Sequence, residues 1–280
     1  FLMGNFIRKA IYEKLPYQFV SLDRVRSSSI NSMYWNKSHT FHIADIRDKH
    51  IIDIIFQIEK PDIVIHGAEE FIDYEDNNIY SSNVLGTSVL VDACIRHKVK
   101  NMIYISTNSN NVDSYVNSKL QAEKIIKSKQ DELNFNIVKC SHNYGPRQNV
   151  NKQIPSIINN VLNNKPIYID GNGLNTKEWT HAFDTCSAVF SVLERAGNNV
   201  YDVSSKEEMS DLDLTQKICN FMGHGYDLIS FKKTSVPQKN ETSEIVSDIR
   251  ELGWEPKIKI KDGLWSQCIF WFLNNKWVFK

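Results

Sequence analysis

The sequence has no excess of either charge, no cysteine framework and no long apolar segment. Its 33 Lys and Arg balance 33 Asp and Glu without forming blocks, which excludes the basic surface typical of a nucleic-acid-binding protein. The five cysteines are odd in number and far apart, which argues against disulfides and indicates a reducing compartment. No apolar run reaches the ~18 residues that span a bilayer. None of the eight histidines belongs to a metal-ligand cluster. We therefore expect a cytoplasmic protein without a metal site that binds neither nucleic acid nor membrane.

Short β-branched runs alternate with amphipathic stretches along the first half of the chain. The predicted strands are QFVSLD (18–23), HTFHIAD (39–45), DIVIHGA (62–68), NMIYIST (101–107) and FNIVKCS (135–141). The predicted helices between them are 48–59, 78–97 and 114–129. Such alternation with short connections is typical of a parallel sheet covered on both faces. The sequence therefore predicts an α/β fold with a doubly wound parallel sheet.

Several polar or small residues lie where these strands end. In doubly wound sheets, ligands bind outside the carboxyl ends of the strands. The residues at these ends are Asp23, Asp45, His66, Gly67, Ala68, Ser106 and Thr107. We expect them to line one crevice.

The alternation weakens after about residue 143. NYGPRQ and IDGNGLN are rich in turn residues and flank a predicted helix at 154–163. A strand at 198–205 leads into a helix for which Ser210 is the predicted N-cap. Trp and Phe are frequent in 254–280, which predicts a closing helix. We predict a sheet domain of residues 1–143 plus about 177–203, and a smaller interleaved C-terminal lobe of about 144–176 plus 204–280.

The segment STNSNNVDSYVNSK contains the clearest chemical signal. Tyr115 and Lys119 are four positions apart and share one face of the predicted helix. An ammonium beside a phenol favours the phenolate, so we expect the pKa of Tyr115 to lie below its reference of ~10. A phenolate can take a proton from a sugar hydroxyl while a hydride leaves the same carbon. Thr107 is placed to hold that hydroxyl, and Lys119 to bind the ribose of a nicotinamide cofactor.

Two aspartates bear on the choice of cofactor. Asp23 ends a strand, where a carboxylate accepts hydrogen bonds from the adenosine ribose of NAD, whereas NADP favours an Arg. Arg24 follows at once, so NAD is favoured while NADP stays open. Asp45 either contacts the adenine edge or caps the following helix.

A Gly-rich turn is missing from the sequence as it stands. A dinucleotide site needs a first strand and a Gly-rich turn whose amides approach the pyrophosphate. The sequence begins where such a turn ends. Because removing a central strand would leave its neighbours unpaired, we expect this strand and turn to precede Phe1. The alternative is a chain that cannot hold NAD in the usual way.

The order of motifs resembles the extended short-chain dehydrogenase/reductase family, and within it the dTDP-glucose 4,6-dehydratases. In chain order these motifs are GNFIRKA, LDRV, ADIRD, PDIVIHGAEEFID, NVLGTSVLVDAC, IYIST, YVNSK, CSHNYGPRQ, IDGNGLNTKEW, EMSDLDL and LGWEP. The resemblance implies a Rossmann domain that binds NAD, a lobe that binds a nucleotide-diphosphate sugar, and a homodimer. The implied cofactor residues are Asp23, Asp45, Ile46, Gly67, Ala68, Ser106, Tyr115 and Lys119, and the implied substrate residues are Asn143 and Lys177.

The resemblance also implies a mechanism from which this sequence departs. The family's Tyr oxidises the sugar at C4, a Glu removes the C5 proton, and an Asp protonates the departing C6 hydroxyl. That Asp and Glu directly follow the Thr, and here the positions are Asn108 and Ser109, which do not ionise at working pH. Since acid–base groups contribute about 10²–10⁴-fold each, we expect C4 oxidation to persist and dehydration to be impaired.

Other family positions differ as well. Phe71 stands where the family has a His, although Asp73 is retained. Lys177 and Val236 replace two arginines that grip the diphosphate, and a Lys lacks the bidentate fork of an Arg. Three functions therefore stay open: an NAD-dependent nucleotide-sugar 4,6-dehydratase homologue, a nucleotide-sugar epimerase, and a pseudoenzyme kept for a structural or partner-binding role.

Overall fold

A computed structural model of the chain describes residues 1–24, 39–71, 77–109, 113–233 and 246–278. The α-helices are α1 Leu2–Tyr12, α2 Lys49–Glu59, α3 Asn77–Tyr80, α4 Gly86–Arg96, α5 Ser114–Lys127, α6 Gln153–Leu162, α7 Ala182–Val192, α8 Asp211–Phe221 and α9 Ile260–Val278. A π-helical stretch, Ser81–Leu85, joins α3 to α4, and a 3₁₀ turn spans Ile249–Leu252. The strands are β1 Phe19–Asp23, β2 His39–Ile43, β3 Ile63–His66, β4 Asn101–Thr107, β5 Phe135–Cys140, β6 His142–Tyr144, β7 Ile167–Asp170, β8 Thr176–His181, β9 Asn199–Val203, β10 Glu208–Ser210, β11 Ile229–Lys232 and β12 Ser247–Asp248.

A five-stranded parallel sheet forms the centre of the molecule, in the order β12-β9-β5-β4-β3. Strand β4 is buried along almost its whole length, with Met102 and Ile103 fully inaccessible. Helices cover both faces of such a sheet, which explains why β4 is a continuous apolar run rather than an alternating one. The α/β class predicted from the sequence is confirmed.

Strands β1 and β2 form a separate parallel pair, with Phe19 opposite His39 and Asp23 opposite Ile43. Within the described residues, neither strand pairs with the five-stranded sheet. Strands β1 and β3 line opposite sides of one cleft, so the carboxyl ends of both sheets open into the same space.

Three hydrophobic clusters hold these layers together. Phe6 of α1 and Val189 of α7 pack in the first cluster, on one face of the sheet, while Ile52 of α2 and Leu90 of α4 pack in the second. The third cluster lies under α6, α8 and α9 around the fully buried Trp271. This third cluster draws on residues from Tyr144 to Trp271 but on none of α7 or β9, which pack in the first cluster, so the elements around Trp271 have a core of their own.

The described cysteines are free and buried. Among the described helices, none combines the length and the hydropathy that crossing a bilayer requires.

Most of the predicted elements are confirmed. The strand predicted at 101–107 has those bounds in the structure, and Ser210 caps α8 by accepting a hydrogen bond from the Asp213 amide. Helix α7 was missed because it is buried on most of its circumference, which hides a 3.6-residue period. The alternative role of Asp45 as a helix cap is wrong, since Asp48 accepts the amide bonds at the start of α2.

Candidate active site

A cleft of about 1710 Å³ extends from the amino ends of β1 and β3, near Gln18 and Asp62, to the carboxyl ends of the parallel strands, where residues after Cys140 also line it. Its volume exceeds the ~300–1,000 Å³ of a typical small-molecule pocket. The cleft is lined by twelve of the sequence-predicted site residues, namely Asp23, Asp45, Ile46, Gly67, Ala68, Ser106, Thr107, Asn108, Ser109, Tyr115, Asn143 and Lys177.

Helix α5 positions the remaining predicted residue, Lys119, behind Tyr115. The helix begins at Asp113, whose carboxylate accepts a hydrogen bond from the Val116 amide at 2.7 Å. Tyr115 therefore lies in the first turn and Lys119 one turn later. The Lys119 side chain is only 1% exposed, and its Nζ donates to the Ile105 carbonyl oxygen at 2.7 Å. This bond ties the ammonium to strand β4.

Glu69 connects the two residues and was not identified from the sequence. Its Oε2 accepts one hydrogen bond from the Tyr115 hydroxyl at 2.9 Å and another from Lys119 Nζ at 3.0 Å. Glu69 follows the end of β3, three positions after His66, so a carboxylate just beyond a strand end was the available signal. The site is thus a triad of phenol, ammonium and carboxylate.

The charges of this triad shift one another's pKa values. Burial first, and then the Glu69 carboxylate, raise the pKa of Tyr115 above its ordinary value, although Lys119 opposes them. Burial alone would lower the pKa of Lys119, but Glu69 and the two nearby tyrosines outweigh it and raise that pKa. Burial would raise the pKa of Glu69, and Lys119 more than compensates. The predicted lowering of the Tyr115 pKa is therefore wrong, because the sequence showed neither the burial of the phenol nor the Glu69 carboxylate beside it.

Phe71 and Lys152 form a cation–aromatic stack beside Tyr115. The ring of Phe71, half exposed, meets the Tyr115 ring edge-on at 4.8 Å between centroids. The Lys152 ammonium lies 2.9 Å from the Phe71 ring centroid. Burial lowers the pKa of Lys152 to about 8, while the Glu69 charge acts in the opposite direction. Lys152 is thus a second cleft residue that sequence reasoning missed.

The residues that end β4 make local bonds. The Ser109 amide donates to Thr107 Oγ1 at 3.1 Å, and Asn108 Nδ2 donates to an Asp202 carboxylate oxygen at 3.2 Å. The Ser106 hydroxyl donates to the buried Glu123 carboxylate. Asn108 and Ser109 therefore lie at the cleft beside Thr107, as predicted from their order in the chain, and neither supplies an ionisable group.

Two of the charged residues discussed for the cofactor, Asp45 and Arg24, make ionic contacts of their own. Asp45 accepts from the backbone amide and guanidinium of Arg47, which lowers the pKa of its carboxyl. Arg24 is ion-paired with Glu70, which reduces its availability for a phosphate. The first turn of α1 approaches β3 so closely that a Cβ at Gly67 would lie 2.8 Å from the Met3 side chain.

The lobe side of the cleft holds the predicted substrate residues. Thr185 Oγ1 donates to the Asn143 amide oxygen, which fixes that side chain. Lys177 Nζ donates to Asp211 Oδ1 at 2.7 Å and to Gln153 Oε1 at 2.8 Å. The Asp211 side chain is only 9% exposed, so the charge of Lys177 is already matched by a carboxylate.

His142 begins β6 beside these residues and lines the same cleft. Its ring lies 5.5 Å from the Trp179 ring, centroid to centroid. Burial first, and then the nearby Lys177 charge, lower the pKa of His142, which favours the neutral imidazole. The sequence motif CSHNYGPRQ contains this residue, but nothing in the motif indicated that it faces the cleft.

Asp73 and Val236, two of the positions at which the sequence was compared with the family pattern, lie outside the described residues. In the part of the chain that the structure describes, no three His, Cys, Asp or Glu side chains form a metal-ligand group.

Comparisons with known proteins agree with this geometry. The family model described as "NAD dependent epimerase/dehydratase family" matches residues 2–204. A curated relative, dTDP-D-glucose 4,6-dehydratase from Bos taurus, is 26% identical over 98% of this chain and 86% of its own length. The fold is similar to that of DesIV, a dTDP-glucose 4,6-dehydratase from Streptomyces venezuelae solved with NAD and TYD bound (TM-score 0.87, 22% identity, 99% of this chain and 95% of that one). It is also similar to UDP-glucose 4-epimerase from Thermotoga maritima solved with UDP-glucose (TM-score 0.86, 20% identity, 98% and 96%).

Proposed function

The chain belongs to the NAD dependent epimerase/dehydratase family, and on this basis we propose that it oxidises a nucleotide-diphosphate sugar at C4 with NAD as the cofactor. The observation that carries the proposal is the triad at the mouth of the sheet, where Tyr115 and Lys119 share the Glu69 carboxylate. A phenol next to a buried ammonium is suited to take the proton of a sugar hydroxyl. NAD, when bound, supplies the acceptor for the hydride that leaves the same carbon.

The residues of the cleft suit a dinucleotide. Asp23 offers a carboxylate at the end of β1 for ribose hydroxyls, and Gly67 and Ala68 line the cleft where β3 ends. The first turn of α1 lines the cleft as well, and its amides provide anion-binding dipoles. We propose that these groups hold the cofactor while Lys119 contacts the nicotinamide ribose. The ion pair between Arg24 and Glu70 supports NAD over NADP.

Tyr115 has to change partners during oxidation. In the structure its hydroxyl donates a hydrogen bond to the Glu69 carboxylate, and this bond favours the neutral phenol. We propose that a sugar hydroxyl displaces Glu69 from Tyr115, so that Lys119 becomes the charge closest to the phenolate. Thr107, at the end of β4, holds the same hydroxyl.

Lys152, Asn143 and Lys177 support a nucleotide-diphosphate site on the lobe side. Lys152 lies on an aromatic ring at the cleft, where its charge can meet a phosphate. Lys177 is less available because Asp211 already binds it. A homodimer and a cytoplasmic location stay predictions from the sequence.

An epimerase is the second candidate function. Asn108 and Ser109 favour it, since an epimerase needs C4 oxidation without the acid and base of dehydration. A pseudoenzyme is the third, and it predicts that neither NAD nor a nucleotide sugar raises the melting temperature. Ligand at 100 times its Kd stabilises a protein by about 2.7 kcal/mol, which thermal unfolding detects easily.

The test is to incubate the purified protein with NAD and dTDP- or UDP-linked hexoses. We expect absorbance at the NADH wavelength and a 4-keto sugar with at least one of them, and a loss of about 10²–10⁴-fold in Tyr115→Phe. A 4-keto-6-deoxy product would identify a dehydratase, and a C4-inverted sugar an epimerase. No oxidation of any hexose would reject the proposal.

A further inference from the structure

We propose that His142 is the base that removes the C5 proton of the 4-keto sugar, in place of the carboxylic acids missing at Asn108 and Ser109. The inference rests on the proposed function, because the C5 proton becomes acidic only once C4 is a ketone. His142 faces the cleft from the lobe side, whereas Tyr115 and Thr107 face it from the sheet side.

His142 and the position that lost its base lie just beyond the ends of two neighbouring strands and line the same cleft. In the parallel pairing of β4 with β5, Thr107 lies opposite Cys140, and the Asn108 amide still donates to the Cys140 carbonyl at 3.1 Å. Two residues beyond Cys140 the chain has entered β6, which pairs with β8 and places His142 opposite Trp179. His142 and Ser109 thus follow the ends of two neighbouring strands, and both line the cleft.

The surroundings of His142 favour a base. The residue is exposed to the cleft, and of the described residues none hydrogen-bonds to its ring nitrogens. Packing against Trp179 orients the ring without using either nitrogen. By contrast, His181 nearby uses its Nδ1 to accept the Phe183 amide and caps α7.

Charged groups from three elements face His142. Lys177 of β8 and Lys152, next to α6, disfavour the imidazolium, while Asp211 of α8 and Glu178 of β8 favour it. Burial and the lysines prevail, so the pKa of the ring lies below its ordinary value of 6.5. A neutral ring at physiological pH is ready to accept a proton.

The step balances with one imidazole acting twice. A neutral ring nitrogen takes the C5 proton, and the C5–H electron pair enters the enolate that extends to the C4 oxygen. The imidazolium then gives that proton to the C6 hydroxyl. The C6–O pair leaves with water, the enolate pair forms the C5–C6 double bond, and the C4 ketone is restored. His142 is neutral again at the end.

The test supplies the ketone directly, so that it does not depend on C4 oxidation. dTDP-4-keto-6-deoxyglucose is incubated with the enzyme in D₂O, and deuterium at C5 is measured by mass spectrometry against a buffer blank. We expect the protein to accelerate exchange, and His142→Asn to reduce the enzyme-dependent rate by about 10²-fold or more. Added imidazole should restore part of the rate in this variant. The wild-type rate should be level near pH 7 and fall only below pH 6.5, where the ring becomes protonated.

Matched variants separate chemistry from folding. His224→Asn removes an exposed histidine from another part of the molecule and should leave exchange and melting temperature unchanged. Full exchange in a folded His142→Asn variant, or no exchange by the wild-type protein, would overturn the proposal. Failure of the oxidation assay with normal exchange would instead reject the proposed C4 oxidation alone.

Discussion

The two walls of the cleft differ in whether their titratable side chains are paired with an opposite charge. On the sheet wall, Tyr115, Lys119 and Glu69 bind one another, and every charge has a partner within about one hydrogen-bond length. On the lobe wall, Lys177 is matched by Asp211, but His142 keeps its ring nitrogens for the cleft and stays neutral. The sheet wall is thus organised around a charge pair, and the lobe wall around a neutral base.

This difference follows from burial. Lys119 is almost fully enclosed between α5 and β4, and an ammonium in such a position requires a carboxylate close by. His142 is exposed to the cleft, yet the surrounding protein desolvates its ring enough to lower its pKa, and a neutral ring needs no counter-charge. We infer that the sheet wall stabilises the phenolate of Tyr115 during C4 oxidation. The lobe wall, through His142, removes the C5 proton in the step that follows.

The largest expected effect is on stability, in Lys119→Met. Removing the ammonium leaves Glu69 without its ion partner and the Ile105 carbonyl without its donor. We expect a loss of about 3 kcal/mol, at the low end for a broken buried pair because the Glu69 side chain is 37% exposed. Urea unfolding measures it. The double variant Lys119→Met/Glu69→Gln should recover part of the loss, and a wild-type stability of the single variant would contradict the buried charge pair.

Glu69→Gln tests the sheet wall with less disruption. Without the carboxylate, Lys119 is the remaining charge beside the phenol, so the pKa of Tyr115 should fall. The measurement is a tyrosinate absorbance titration, in which each protein is compared with its own Tyr115→Phe version. An unchanged Tyr115 titration would mean that burial alone sets its pKa.

Asp211→Asn tests the lobe wall. It releases Lys177 from its ion pair, and we expect dTDP to bind up to about tenfold more tightly, or about 1.4 kcal/mol. Isothermal titration gives the affinity. The control is Lys177→Met in the same background, which should abolish the gain; a gain that persists there would assign the effect to another residue.

The smallest effect is expected for Glu70→Ala, at the cofactor end. The pair with Arg24 is largely exposed, so stability should change by about 0–1 kcal/mol. The freed guanidinium should improve binding of NADP by a few-fold while NAD binding stays constant. Fluorescence titration with both reduced cofactors compares them, and Arg24→Ala/Glu70→Ala is the control. An equal change in affinity for NAD and NADP would contradict the proposal that the Arg24–Glu70 pair favours NAD.

The central sheet was predictable because its signals are local. Strands β4 and β5 contain short β-branched and apolar segments, MIYI and IV, and α2, α5 and α8 have clear periods and caps. The spacing of Tyr115 and Lys119 also depends only on helix geometry. Short strands such as β6 and β12, of three and two residues, have no comparable pattern.

By itself, the sequence determined the α/β class, the crevice at the strand ends and the shared face of Tyr115 and Lys119, since each depends on period or strand direction. Only the tertiary structure decided the protonation of the site. Glu69 and Tyr115 are 46 positions apart and meet because β3 lies beside β4. Likewise, His142 and Ser109 line one cleft because β5, which ends just before His142, lies beside β4. A pKa depends on charges that are close in space, and sequence distance does not report them.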